Sequence, residues 1–161
     1  MGFRIVLATL LALVLLAPTA AFADSPHFIR ADASLNTNTG ALVCTFKEAG
    51  LGNTATTERV TCSADATATY ACINGGGNHP RAANKETVNG PLVNGGDFPV
   101  RNGSVTGSIS LGPLSAGGFS CPNGQRLVLA SVSYSNVTLT GAAGDTASVP
   151  GTFSLVLVDI A

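Results

Sequence analysis

The chain has 161 residues and a formal net charge of −1, and only 11% of its residues are Asp, Glu, Lys or Arg, against about 25% in ordinary globular proteins. A balance so close to zero offers no basic stripe to neutralise phosphates, which argues against a nucleic-acid partner, and it offers no acidic tail either. Gly, Ala, Ser, Thr and Asn take the place of the missing charges, a composition that disfavours long surface helices.

At the start of the chain, Arg4 supplies a positive charge, residues 5–16 are apolar apart from Thr9, and Ala21, Phe22 and Ala23 form an A-x-A cleavage site. Residues 1–23 are therefore predicted to be a signal peptide, with 24–161 as a single domain. The apolar run is shorter than the roughly 20 residues of a membrane span. No cysteine stands at the cleavage point to accept a lipid, and the apolar stretch 153–160 is too short for an anchor signal. The expectation is a secreted, extracellular protein with no membrane attachment after signal removal.

Strands are predicted over 28–35, 105–111, 127–140 and 152–160, none of which has helical periodicity. The strongest signal is residues 60–72, where Val60, Cys62, Ala64, Ala66, Ala68, Tyr70 and Cys72 share one parity and Thr61, Ser63, Asp65, Thr67 and Thr69 take the other. That is the two-residue period of a half-buried strand. Leu42, Cys44 and Phe46 alternate in the same way, and Gly50, Gly52 and Asn53 lie between, so a hairpin about Asn53 is predicted, with Phe46 opposite Val60 and Cys44 opposite Cys62. In 127–140 the apolar parity changes between Tyr134 and Val137, which predicts a bulge near Ser135 or Asn136. Five Asn-Gly pairs, at Asn74, Asn89, Asn94, Asn102 and Asn123, read as tight turns. The expected fold class is all-β, an antiparallel two-sheet sandwich with Ig-like, Greek-key connections; a closed β-barrel is the alternative.

All four cysteines lie in the predicted exported part, and an even count there reads as two disulfides. Cys62 and Cys72 are ten strand residues apart, about 33 Å in extended chain, and cannot be bridged. Of the two remaining connectivities, Cys44–Cys62 with Cys72–Cys121 is preferred. A zinc site is disfavoured, because there is no C-x-x-C pair and the only histidines are His27 and His79. No metal and no cofactor is expected, and the Gly75-Gly76-Gly77 run lacks the Lys-Ser/Thr and helix of a phosphate-binding loop.

The segment 74–100 reads as the least regular part of the chain, a long connection with a disulfide at its base. Such connections often carry function. Asn78, His79, Arg81, Asn84 and Lys85 are its candidate binding residues, and an ordinary connector with a short hairpin at Asn89-Gly90 is the plainer reading.

The run Cys72-Ile73-Asn74-Gly75-Gly76-Gly77-Asn78-His79-Pro80-Arg81-Ala82-Ala83-Asn84-Lys85, with Cys121-Pro122-Asn123-Gly124-Gln125 downstream, resembles small exported proteins of actinomycete-type bacteria that have no assigned function. The resemblance implies an extracellular location and a β fold, and it transfers no site residue. A looser, architectural likeness is to the enediyne-carrying apoproteins, exported Ig-like sandwiches whose two disulfides close shorter loops than Cys44–Cys62 and Cys72–Cys121 would.

A catalytic reading centres on His79, which could join Asp97 and a serine in a hydrolase triad. Serines are too abundant for that coincidence to be informative. Glu48, Glu58, Asp65, Glu86 and Asp97 are the carboxylates available for glycoside chemistry, and Glu48 and Glu58 are expected as solvated charges flanking the hairpin turn. With no Trp, an inward Tyr70 and a Tyr134 whose parity favours burial, an aromatic sugar platform is poor. Asn102 and Asn136 sit in N-glycosylation patterns that read as turn and strand residues. The expectation is a secreted, non-catalytic binding module acting through the 74–100 segment, whose partner is a cell-envelope component, a polysaccharide or a protein. A small hydrolase and an inhibitor-like or toxin-like binder are the alternatives.

Overall fold

The computed structural model describes residues 25–74 and 84–160. The predicted signal peptide and the candidate binding residues Asn78, His79 and Arg81 lie outside the described residues. Eight strands follow in chain order: β1 (His27–Leu35), β2 (Leu42–Ala49), β3 (Thr57–Asn74), β4 (Lys85–Pro99), β5 (Ser104–Leu111), β6 (Gln125–Gly141), β7 (Thr146–Val149) and β8 (Phe153–Val156). There is no helix among the described residues.

Two antiparallel sheets form, neither closed into a barrel. One has the order β1-β2-β5; the other runs β4-β3-β6-β7, with β8 also paired to β6. Strand β5 returns to pair with β2 after β3 and β4 have been laid in the opposite sheet, which is a Greek-key connection. The core lies between the layers: Leu42, Cys44 and Phe46 from β2 meet Val60, Cys62 and Val132, Tyr134 and Leu139 from the other sheet. Phe46 is gripped edge-on by two rings, Phe28 at 6.2 Å and Phe98 at 5.0 Å between centroids, a favoured aromatic geometry.

The predicted hairpin between β2 and β3 does not form, because the two strands belong to opposite sheets. Alternation fixes which side chains point inward, but an inward residue faces its partner equally well across a core as along a ladder. The chain changes layer over 50–56, where Gly50 and Gly52 adopt positive φ and buried Leu51 donates its amide to Gly103 O at 3.0 Å. Cys44 and Cys62 are bonded across the interior at a Cα separation of 6.5 Å, and Cys72 is bonded to Cys121 at 5.5 Å. Both spans lie within the ordinary range for a disulfide, and buried Ala64, Ala66 and Ala68 continue the inward face of β3 beyond Cys62.

The segment expected as an irregular loop is largely strand β4, paired with β3 from Thr57↔Pro99 to Ala71↔Lys85. Asn89-Gly90 and Asn94-Gly95 lie inside it. Neither glycine has positive φ, so neither pair makes a turn. A Cβ at Gly95 would meet Thr61 Cγ2 and Val60 O at 2.8 Å, so glycine serves close approach to β3 here. Asn102 and Gly103, with φ of 51° and 69°, do make the β4–β5 turn. The strand predicted over 152–160 is confined to Phe153–Val156, and β7 has no counterpart among the predicted strands.

The bulge in β6 lies where parity placed it. Register with β3 shifts between Ser63↔Thr138 and Asp65↔Ser135, and Asn136 takes φ of 52°. A second shift falls between Thr69 and Tyr70. There β6 carries an extra residue, Ala130, and past this point Ala71, Cys72 and Ile73 on β3 are all buried.

Candidate functional site

Strand alternation that buries one side of β3 and β6 turns their other side into a hydroxyl-bearing face. Thr61, Ser63, Thr67 and Thr69 on β3 stand beside Thr140, Thr138, Ser133 and Ser131 on β6. Because neighbouring strands lie about 4.8 Å apart and same-face residues about 6.7 Å apart along a strand, these groups form a regular grid.

One row crosses four strands: Ser154 on β8, Ser133 on β6, Thr67 on β3 and Asn89 on β4. Ser133 and Ser154 share a hydroxyl hydrogen bond of 2.9 Å, and Thr67 Oγ1 donates to Asn89 Oδ1 at 2.7 Å. The hydroxyls of Ser131 and Ser135 make no hydrogen bond to a described residue.

Three shallow grooves join along this face. The middle one, about 320 Å³, is floored by Thr67, Ser131, Ser133 and Ser154. It shares Thr67 and Ser133 with a groove of about 350 Å³ that continues past Asp65, Asn89 and Pro91. It shares Ser131 and Val156 with a third of about 210 Å³ that ends at Lys85, Asp159 and Ile160. On this face Arg59 contacts both oxygens of Asp97 at 3.2 and 3.3 Å, and the neutral Asn136 amide donates to the Asp65 carboxylate at 2.7 Å. Val93 and Val156, each 67% exposed, add apolar area.

Of the residues singled out in the sequence, Lys85 lines the end of this groove system, and exposed Asn84 precedes it with its carbonyl accepting the Cys72 amide at 3.0 Å. Asp97 is held by Arg59 on the outer face. His27, the one histidine among the described residues, is exposed and sits 2.8 Å from Ser25 O through Nδ1.

Glu48 and Glu58 are not solvated turn charges. They are 0% and 8% exposed, because β2 and β3 carry them inward on the same parity as Phe46 and Val60. Asp145, from the β6–β7 turn, joins them, a residue that no sequence pattern singles out. Its sole sequence signal is the turn residue Gly144 beside it. Burial, then the charges of Asp145 and Glu58, push the Glu48 carboxyl up to about 7. None of the three lines a groove of the outer face. Among the described residues no group of three or more His, Cys, Asp or Glu is arranged to hold a metal ion.

Comparison of the chain with known protein families, with curated proteins and with solved structures finds no match.

Proposed function

We propose that this chain is a secreted, non-catalytic binding module whose ligand is an extended, uncharged polysaccharide lying across the outer face of the five-stranded sheet. The predicted signal peptide and two disulfides support an oxidising, extracellular setting. The observation that carries the reading is the row Ser154, Ser133, Thr67 and Asn89 running along the joined grooves. Short hydroxyl and amide groups at regular spacing both donate and accept, which suits a hydroxyl-rich chain. Arg59 is already engaged by Asp97, and hydroxyls outnumber charged groups on the face, which favours an uncharged ligand over an ionic one. Grooves this shallow cannot enclose a compact small molecule, which pockets normally bury by 70–90%. With no Trp in the sequence, recognition rests on hydrogen bonds and not on ring stacking.

Asn84 and Lys85 extend the contact at one end of the groove system, and Asn78, His79 and Arg81 precede them in the sequence. The test is retention on insoluble cell-wall polysaccharide. Thr67→Val with Ser133→Ala removes two hydroxyls at nearly constant volume and is expected to lower retention about tenfold, the effect of losing about 1.4 kcal/mol. Unchanged retention by this folded double variant, and by an Asn84→Ala/Lys85→Ala variant, contradicts the reading.

A further inference from the structure

Three carboxylates meet between the sheets at one end of the sandwich. Glu48 comes from β2, Glu58 from the start of β3 and Asp145 from the β6–β7 turn. Neither oxygen of Glu48 has a hydrogen-bond partner, and neither has either oxygen of Asp145. A Cβ at Gly141 would lie 2.5 Å from Asp145 Oδ1 and 3.0 Å from Glu48 Oε1, so both carboxylates press on the same side of one glycine. Glu58 Oε1 accepts the Ala142 amide at 2.6 Å.

No surrounding element answers this charge. The neighbours of Glu48 within its own sheet are Phe28 on β1 and Val105 on β5, which do not titrate. Lys47 and His27 are exposed, and Arg59 is engaged by Asp97 on the opposite face of the sheet. Buried like charges cannot all remain ionised, and the cluster is not arranged to hold a metal ion. A proton is the remaining neutralising species, and a protonated carboxyl also provides the O–H donor that the cluster lacks.

We propose that Glu48, Glu58 and Asp145 form a proton-holding joint between the two sheets, closed while the buried Glu48 carboxyl keeps its proton and loosened when that proton leaves. The raised Glu48 carboxyl agrees with that geometry. Its folded form binds the proton more tightly than an unfolded glutamate at 4.5 does. The stabilisation is therefore complete in acid below that value and is lost as pH rises through about 7. What loosens first is the β6–β7 turn, which carries the Asp145 carboxyl and whose Ala142 amide is held by Glu58 Oε1, the turn being otherwise closed by the backbone bond from the Gly141 amide to the Asp145 carbonyl. This joint is independent of the binding face.

The experiment is thermal unfolding from about pH 5 to about pH 8 of the wild-type domain and of Glu48→Gln, which keeps the shape and cannot ionise. Wild-type Tm is expected to fall by about 5–10 °C over that range, and the variant to lose most of that fall. If Glu48→Gln does not fold, carbon NMR of the wild-type carboxyl groups decides: one glutamate titrates near neutrality. Parallel Tm profiles for the two proteins, or no carboxyl titrating above about pH 6, overturn the proposal. So does a rise in Tm at alkaline pH with calcium chloride beyond that given by sodium chloride at equal ionic strength, because a cation would then be the neutralising species.

Discussion

Cys44 and Cys62 join the two layers through the middle of the core, with both residues fully buried and their Cα atoms 6.5 Å apart. The bond closes 18 residues of chain that leave one sheet and enter the other. In the chain-entropy account a loop of that length is worth about 3 kcal/mol. Replacing both residues with Ala is expected to lower urea-unfolding stability by about that amount. The Cys72–Cys121 bond closes 49 residues, and its removal should cost about 4 kcal/mol.

Tyr134 is 1% exposed, and its hydroxyl donates to Gly40 O at 2.8 Å. Tyr134→Phe keeps the ring and leaves a buried carbonyl unsatisfied, so a loss of about 1–3 kcal/mol is expected in chemical denaturation. Burial, with a smaller contribution from Tyr70, pushes the Tyr134 phenol up to about 12. Since the folded phenol ionises later than an unfolded one at 10.0, its contribution is present below that value and is lost as pH climbs through about 12. Ultraviolet titration of the native protein should show tyrosine ionisation delayed beyond that of the unfolded chain.

Gly107 on β5 lies under the aromatic trio. A Cβ there would come within 2.6 Å of the Phe98 ring and 2.9 Å of the Phe46 ring. Gly107→Ala must displace one of the rings, and overpacking of this kind costs about 1–3 kcal/mol. Thermal unfolding measures it. At Gly112, where a Cβ would meet nothing within 4 Å, the same substitution should change Tm little.

Asn136 holds the β6 bulge with φ of 52° and donates to Asp65 Oδ2 at 2.7 Å. Asn136→Val places a β-branched residue in the left-handed region and removes the hydrogen bond, with an expected loss of about 1–3 kcal/mol. Asn136→Gly keeps the backbone accessible and should cost less. Unfolding midpoints of the two variants check the order.

Period-two patterning makes most strands, the β6 bulge and the inward face of β3 legible in the sequence. Sheet partners are not legible: Phe46 and Val60 read as a cross-strand pair and instead lie in opposite sheets, both buried in the shared core. Nor is β4, whose Gly90, Pro91, Gly95 and Pro99 look like turn material yet suit an edge strand held by the length of β3. The hydroxyl row could be read residue by residue from Thr67 and Ser133, but its continuation through Asn89 and Ser154 depends on pairings between strands distant in sequence. The carboxylate cluster was hidden for the same reason, since Glu48, Glu58 and Asp145 come from three elements in two sheets.

The most direct test of the binding face is amide NMR of the isotopically labelled domain titrated with soluble fragments of cell-wall polysaccharide. Shifts concentrated at Lys85, Asn89, Thr67, Ser131, Ser133 and Ser154 are the expected result. Shifts confined to the outer face of β1, β2 and β5, or no shifts at ligand concentrations that saturate a weak binder, would contradict it.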